Sequence, residues 1–197
     1  IANNDLGWEK NTQYNVGLDV SLWRGTLGFT ADYYYSKTTD MLFDVPVSSV
    51  SGLTSSNVNI GSMQNKGIEL ALTSRRSFGD FSYAFAANWS LNRNKVLSLG
   101  DENADIIKES SYAGGYYLTR VGQPVGCYYL LVQDGIFHNQ EELDSYPHFD
   151  TTTIGDFRFV DANGNGILEK DADRVIVGNY MPDFYYGFSV NLSYKGF

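Results

Sequence analysis

The sequence predicts an all-β fold: an antiparallel segment of a transmembrane β-barrel with long loops on one side. Three observations support this prediction: strands that alternate large apolar with small polar residues, a scarcity of Lys and Glu on the polar face, and connections that alternate between short and long. The last strand shows the pattern well, since Phe, Tyr, Val and Leu occupy every second position and Gly, Ser and Asn most of the others. Successive side chains of a strand point to opposite faces, so one face is apolar and the other small and uncharged.

Four earlier stretches repeat this alternation. The predicted strands cover residues 13–23, 26–41, 67–76, 81–93 and 184–195. Short turns at Arg24–Gly25 and near residues 77–80 join the first pair and the second pair, whereas longer loops near 43–65 and 99–180 separate the others. Within the second loop, residues 120–137 are compatible with short strands. In outer-membrane barrels the short turns are periplasmic and the long loops extracellular, so both long segments are expected outside the cell.

Composition excludes several functional classes. The chain has 197 residues, a net charge of −9 and a pI of about 4.5, so it lacks the basic stripe that nucleic-acid binding requires. Aromatic residues make up 15% of the chain, which suits the aromatic belts of a barrel. The longest apolar runs, such as 127–132, fall far short of the roughly 18 residues that a spanning helix needs. The first residues do not resemble a signal peptide, and we expect the chain to be a piece of a longer protein.

A series of short motifs follows in a recognisable order. They are Leu6–Gln13, Asn65–Leu70, Asn92–Val96, Arg120–Gly126, Asp134–Phe137, Gly155–Asp156, the loop that begins at Asp161 and ends at Asp173–Arg174, Gly178–Asn179, Pro182–Phe184, Tyr186–Phe188 and Tyr194–Phe197. With these motifs the chain resembles the SusC/RagA family of TonB-dependent outer-membrane receptors of Bacteroidota. Two departures from the family pattern are Cys127, where a Ser is usual, and one extra residue before the closing Asp of the acidic loop.

The resemblance implies a 22-stranded barrel with an N-terminal plug, which this stretch does not include, and a SusD-like lipoprotein lid. A receptor of this family and its lipoprotein together import glycan oligosaccharides or peptides, with energy delivered by the TonB complex through the plug region. This stretch would supply about five consecutive strands of the wall, in contact with membrane lipid, in the cell outer membrane.

The acidic loop from Asp161 to Asp173 matches the first half of a calcium-binding loop. Asp161, Asn163 and Asn165 present oxygens at alternate positions, Gly166 allows a sharp turn, and Ile167 offers its backbone carbonyl. Ala172 holds the usual closing position and cannot bind a metal, so Asp171 or Asp173 must replace it. A structural Ca²⁺ is one interpretation, and a turn held by its own Asx hydrogen bonds is the other.

The remaining polar residues favour simpler interpretations. His138 and His148 lack the partners of a zinc site and are expected to be solvated, and Cys127, the only cysteine, is expected to be buried. Asp19, Asp32 and Glu69 are expected on the lumen wall. Tyr33–Tyr35 suits a girdle, whereas Tyr116–Tyr117 suits either packing or sugar stacking. No catalytic constellation is present, so an enzyme is not expected.

Three functions compete. The leading hypothesis is an importer of oligomeric nutrients; the alternative is a passive outer-membrane adhesin or glycan-binding barrel with calcium-stabilised loops. A soluble β-sandwich is a third interpretation, and it would place the aromatic face inside and the small polar face in water. The scarcity of Lys and Glu on that second face argues against it.

Overall fold

The computed structural model describes residues 6–46, 55–100, 102–110 and 115–197. The chain divides into two compact units. The sheet unit comprises residues up to 105, residues 120–125 and residues from 181 onward, and the insert unit comprises residues 106–119 and 126–180. None of the helices in the described ranges is both long and apolar enough to cross a membrane.

Strands predominate among the described residues, which also include one short α-helix. In chain order the elements are β1 (Lys10–Leu22), β2 (Leu27–Pro46), β3 (Ser55–Phe78), β4 (Phe81–Leu99), β5 (Ile106–Glu109), β6 (Tyr116–Thr119), β7 (Cys127–Leu130), β8 (Gln133–Ile136), α1 (Gln140–Ser145), β9 (Phe157–Phe159), β10 (Val175–Gly178) and β11 (Tyr185–Tyr194).

The sheet unit is one antiparallel sheet in the order β1-β2-β3-β4-β11. The structure therefore confirms all five predicted strands, and they pair in the order in which they follow one another along the chain. A 3₁₀ turn at Trp23–Gly25 joins β1 to β2, with Arg24 at φ 57° and Gly25 at φ 85°. A two-residue turn joins β3 to β4, with Gly79 at φ 59°. Left-handed residues are required in such tight connections because their twist matches that of the strands.

The loop predicted near residues 43–65 is wrong over most of its length. The strands β2 and β3 stay paired up to Pro46 and down to Ser55, and only residues 47–54 lie outside the described range. Similarly, β4 continues to Leu99 rather than 93. The reason is that ladder hydrogen bonds join backbone groups, so a polar Ser- and Asn-rich stretch can pair as well as an apolar one.

A β-bulge interrupts the β2–β3 ladder between Thr38 and Leu42. Asp40 lies there at φ 58°, a conformation that few residues other than Gly adopt. Its carbonyl accepts a hydrogen bond of 2.6 Å from the Asn59 side chain, and its carboxylate pairs with Lys10 at 2.9 Å. These contacts hold a bulge that bends the long hairpin.

The insert unit is also structured, although residues 99–180 were predicted as a loop in which only residues 120–137 were compatible with short strands. It contains a four-stranded sheet in the order β10-β7-β6-β5 and a two-stranded sheet of β8 and β9. The short strands expected between Arg120 and Phe137 are confirmed as β7 and β8. Strands of three or four residues carry too little alternation to be recognised from sequence alone.

Candidate functional site

The two faces of the sheet unit differ in chemistry along every strand. Residues paired across the sheet share a face, so the register defines rows that cross all five strands. One outer row is Leu18, Ala31, Leu70, Trp89 and Tyr186, and the next is Val20, Phe29, Leu72, Ala87 and Phe188. The inner row between them is Asp19, Thr30, Ala71, Asn88 and Gly187. The outer face is thus a continuous apolar surface, and the inner face is small and polar.

Basic and aromatic residues bound the outer apolar band at both ends. Lys66 and Arg76 lie on this face of β3, with Ile68, Leu70 and Leu72 between them. Lys66 shares its row with Tyr14, Tyr35 and Arg93, and beyond Arg76 the last row is Phe78, Phe81 and Tyr194. Arg76 lies ten positions after Lys66 along the strand. Ten strand residues span about 33 Å along the strand, which corresponds to a height of roughly 23 Å at a tilt of about 45°.

The inner face brings the three predicted wall acids close together. Asp32 and Glu69 are direct cross-strand partners, and Asp19 accepts a hydrogen bond of 2.7 Å from the Thr30 hydroxyl on β2. Asn88 and Ser90 of β4 line the same shallow concavity. These side chains offer acceptors and hydroxyl groups to a polar solute, and they include no catalytic set.

Tyr34 is an exception to the small residues of the inner face. Its ring lies over Gly67, where a Cβ would meet both the phenol and the carbonyl oxygen of Leu91. Its hydroxyl donates to Asn92 Oδ1 at 3.1 Å. Gly67 is therefore needed for close approach, and the large residue fits because its neighbour has no side chain.

The acidic loop of the insert unit folds around its own side-chain oxygens. Asp161 accepts backbone N–H bonds of 2.7 Å from Gly164 and from Gly166, one at each carboxylate oxygen. Asn163 accepts one from Asn165 at 2.9 Å, and Asn165 accepts one from Ile167 at 2.8 Å. Each of these four oxygens still has a lone pair, so the turn and a cation could use them together.

The Asp173 side chain bonds to the backbone of the loop and is fully buried, at 0% exposure. Its Oδ2 accepts the Glu169 N–H at 2.7 Å, and its Oδ1 accepts the N–H groups of Ala162 and Asn163 at 3.0 and 3.2 Å. The Glu169 bond, with the other two and the nearby Asp161 side chain, lowers the pKa of Asp173 despite its burial. The Asp173 carboxylate therefore stays ionised to lower pH than an ordinary aspartate does.

Asp171 is placed differently. Its side chain is 92% exposed and accepts a bond of 2.7 Å from Arg174. Of the two predicted closing residues, the one that faces the loop backbone is Asp173. Over the part of the chain that is described, no three His, Cys, Asp or Glu side chains cluster to hold a metal. A cation in this loop would rely on two carboxylates together with amide and backbone oxygens, a donor set of hard oxygens that fits Ca²⁺.

The histidines and the cysteine have structural roles. His138 is exposed, as predicted, and lies 3.3 Å from the Glu142 carboxylate of α1. His148 is half-buried rather than solvated, because its ring bonds the Tyr146 carbonyl at 2.8 Å and packs against Phe137. Cys127 is buried, as predicted, and burial raises the pKa of its thiol.

The predicted tyrosine pair divides between two environments. The Arg174 guanidinium lies 3.4 Å from the ring centroid of Tyr116, so this face of the ring packs against Arg174 and is not open to a sugar. Tyr117 instead faces Tyr128 across the β6–β7 ladder, with ring centroids 5.7 Å apart, and remains exposed. Tyr128 was not identified from the sequence; its register with Tyr117 could be known only once β6 and β7 were paired.

A second group that the sequence did not reveal joins β8 to β9. Arg158 donates to Asp134 Oδ1 at 2.9 Å, the Tyr146 hydroxyl donates to Asp134 Oδ2 at 3.0 Å, and the guanidinium lies 4.9 Å from the Tyr146 ring centroid. The Arg158 hydrogen bond is the main reason that the pKa of Asp134 is lowered. The alternation Phe157-Arg158-Phe159 was the available signal for this strand.

Comparisons with known proteins agree with this architecture. The chain matches the family model "TonB dependent receptor-like, beta-barrel" over residues 1–193. TonB-dependent receptor P3 of Formosa agariphila is 36% identical over 209 residues, a match that covers 100% of this chain and 20% of that protein. TonB-dependent receptor SusC of Bacteroides thetaiotaomicron is 26% identical and matches 99% of the chain with 19% of its own length.

Solved structures give the same picture. The structure of the RagAB peptide importer in its closed-closed state superimposes with a TM-score of 0.74 at 27% identity, covering 98% of this chain and 20% of that one. A second structure, of the RagAB peptide transporter, gives a TM-score of 0.75 over the whole chain. The chain therefore spans about a fifth of the length of the relatives it matches. These relatives are named as receptors, importers and transporters.

Proposed function

The chain belongs to the TonB-dependent receptor β-barrel family, of the SusC/RagA type that its motifs predicted, and on this premise we propose that the intact protein imports oligomeric nutrients across the outer membrane. Its sheet unit is a segment of the receptor barrel. The nutrient would be a glycan oligosaccharide or a peptide, taken up with a SusD-like lipoprotein and with energy from TonB. Because the chain is about a fifth of its relatives' length, plug and energy coupling would be supplied by other parts of the protein.

The observation that carries the proposal is the contrast between the two faces of the sheet unit. The outer band, bounded by Lys66 and Arg76, has a height of roughly 23 Å at the usual tilt. The apolar band of an outer-membrane barrel is about 25 Å tall. The inner face carries Asp32, Glu69 and Asn88, as a water-filled lumen requires. A barrel wall of this kind suits passage of a polar solute better than adhesion, which needs only loops.

The chain topology supports an external position for the inserted residues. Antiparallel pairing puts the end of β4 and the start of β11 at the same edge of the sheet unit, opposite the turns at Trp23–Gly25 and Gly79. Short turns are periplasmic in this class of barrel, so the chain would leave β4 and re-enter β11 on the extracellular side.

Growth tests this function directly. Deleting the gene of the intact receptor should abolish growth on one oligomeric nutrient and leave growth on its monomer unchanged, because only the oligomer needs active uptake. Restoring the gene should restore growth, and a copy without the TonB-interacting segment should not. Normal growth of the deletion strain on every oligomer tested, with loss of attachment to a surface instead, would favour the adhesin.

We also propose that the acidic loop binds a structural Ca²⁺. Asp161, Asn163, Asn165, the Ile167 carbonyl and Asp173 would hold the ion, and water would complete the shell. Asp173 is preferred over Asp171 because its carboxylate faces the loop backbone, whereas Asp171 pairs with Arg174. Extracellular calcium sites of this kind are weak, with a Kd of about 10⁻⁴–10⁻³ M.

The calcium proposal can be tested in the intact receptor. Millimolar Ca²⁺ should slow proteolysis of the loop, and a chelator should reverse the effect. The Asp161→Ala variant should lose this calcium dependence, and Asp171→Ala should keep it. A loop cleaved at the same rate with and without Ca²⁺ would show an Asx turn that binds no ion.

A further inference from the structure

A cluster of basic side chains lies on the outer face of the sheet unit, next to the apolar band. It consists of Lys37 on β2, Lys66 on β3, and Arg93 and Lys95 on β4, and all four residues are exposed. Lys66 and Arg93 are direct cross-strand partners, and Lys37 and Lys95 are both paired with Gln64 in the next row. We call these four residues the basic edge.

The register of the strands keeps the four bases close together. Adjacent strands lie about 4.8 Å apart and two strand residues span about 7 Å, so the Cα atoms of the basic edge fall within an area of about 10 by 7 Å. The row next to Lys66 and Arg93 is apolar and aromatic, and consists of Val16, Tyr33, Ile68 and Leu91. Long basic side chains on such a small area can reach one anion together, beside a surface that suits hydrocarbon.

The acids of the sheet unit neutralise little of this charge. Asp19, Asp32 and Glu69 all lie on the inner face. Arg93 donates to the Asp183 carbonyl at 3.0 Å and pairs with its carboxylate at 3.2 Å, a contact that occupies part of the guanidinium. Within the part of the chain that the structure describes, the three lysines of the basic edge form no ion pair. In a chain with a net charge of −9, such a concentration of positive charge favours an anionic ligand.

The bases at the opposite edge of the band are arranged differently. Arg24 lies in the turn after β1, Arg76 lies on β3 and Lys195 follows β11, so they are spread across the width of the sheet. The Arg76 guanidinium lies 4.7 Å from the Phe78 ring centroid, and the Lys195 ammonium lies 5.4 Å from that of Tyr194. Bases that only carry their charge from an apolar band into water need no clustering at either edge. The clustering at the basic edge therefore indicates a specific anion.

We propose that the basic edge binds the phosphate groups of the glycolipid that forms the outer leaflet of the outer membrane. The lysines and Arg93 would donate hydrogen bonds to phosphate oxygens, and the acyl chains would pack against Ile68 and Leu91 in the adjoining row. A free phosphate ion or an acidic protein surface would use the bases without the apolar rows beside them. The inference rests on the proposed function for one point: with the short turns in the periplasm, the basic edge lies at the outer leaflet.

Lipid binding by the purified intact receptor tests this site. The receptor in an uncharged detergent is titrated with lipid A, which is a phosphorylated glycolipid, and native mass spectrometry counts the lipid retained. Each base removed should weaken binding about fivefold, which corresponds to about 1 kcal/mol, so Lys66→Gln/Arg93→Gln should raise the Kd roughly 25-fold. Arg76→Gln is the matched control, because it removes an exposed base of the same strand and face at the other edge, and should leave the Kd within about twofold of wild type. Lys66→Arg/Arg93→Lys keeps both charges and should stay close to wild type.

Further measurements identify the ligand. Lipid A without its phosphates should bind the wild type and the double glutamine variant equally weakly, and millimolar inorganic phosphate should not displace the lipid. Equal binding of intact lipid A by the wild type and by Lys66→Gln/Arg93→Gln would refute the site. Displacement by inorganic phosphate, or an acidic protein in place of lipid on the receptor extracted from cells, would overturn the choice of lipid. Import is judged by growth alone, so failure of lipid binding leaves the proposed function standing, and failure of the growth test refutes import without altering the lipid result.

Discussion

An arginine on β11 should destabilise the barrel much more on the outer face than one position away on the inner face. Val190 and Ser189 are adjacent, so they lie at nearly the same depth but on opposite faces, paired with Phe85 and Ala86 of β4. β11 has ten residues and Val190 is the sixth, which puts both substitutions near the middle of the strand. Arginine facing lipid at mid-depth costs about 2–4 kcal/mol, and a lumen position costs far less.

This difference can be measured by equilibrium refolding of the intact receptor into lipid vesicles. Val190→Arg should reduce the folding equilibrium constant by a factor of roughly 30 to several hundred relative to Ser189→Arg, since about 1.4 kcal/mol corresponds to tenfold. Val190→Leu is the control that keeps the outer face apolar and should be close to wild type. Equal costs for the two arginines would refute the assignment of faces, and a larger cost at Ser189 would reverse it.

Two further predictions concern single residues. The pKa of Asp173 is lowered in the folded protein, chiefly by the Glu169 N–H. Its contribution to stability is therefore fully present above the ordinary aspartate pKa of about 3.9 and is lost as pH falls through the lowered value. In chelator, hydrogen exchange of the loop should accelerate below pH about 4, and Asp173→Asn should abolish that acid transition. Gly67→Ala should destabilise the sheet by about 1–3 kcal/mol because the new methyl group meets the Leu91 carbonyl and the Tyr34 phenol; denaturant unfolding measures the loss, and an unchanged midpoint would contradict the close packing.

The strands and their faces could be predicted because lipid imposes the pattern. Wherever a strand crosses the apolar band, side chains must alternate with period two, and Tyr83, Phe85 and Leu192 did so visibly. Beyond the band this requirement ends, so the sequence predicts a loop where β2 ends and β3 begins. Backbone pairing continues there with no trace in the hydrophobic pattern, as the Asn59 contact to Asp40 illustrates.

The site residues divide in the same way. Asp161, Asn163 and Asn165 were identified because their spacing in the chain is local, and the structure brings their oxygens into one turn. The Tyr117–Tyr128 pair and the Arg158–Asp134 pair were missed because each depends on the pairing of two short strands. Three or four residues are too few to reveal a period, so their partners become known only from the structure.

The central claim is that the sheet unit forms part of the wall of a barrel, with lipid against its outer face and water against its inner face. A nitroxide placed in turn at each position from 185 to 194 of the intact receptor tests it directly, in a lipid bilayer and in a variant that carries Cys127→Ser and no other reactive cysteine. Oxygen accessibility should peak at Tyr186, Phe188, Val190 and Leu192, and accessibility to a polar nickel reagent should peak at the positions between them, because strand side chains alternate. Accessibility without a period of two, or with lipid exposure at Ser189 and Asn191, would contradict the account.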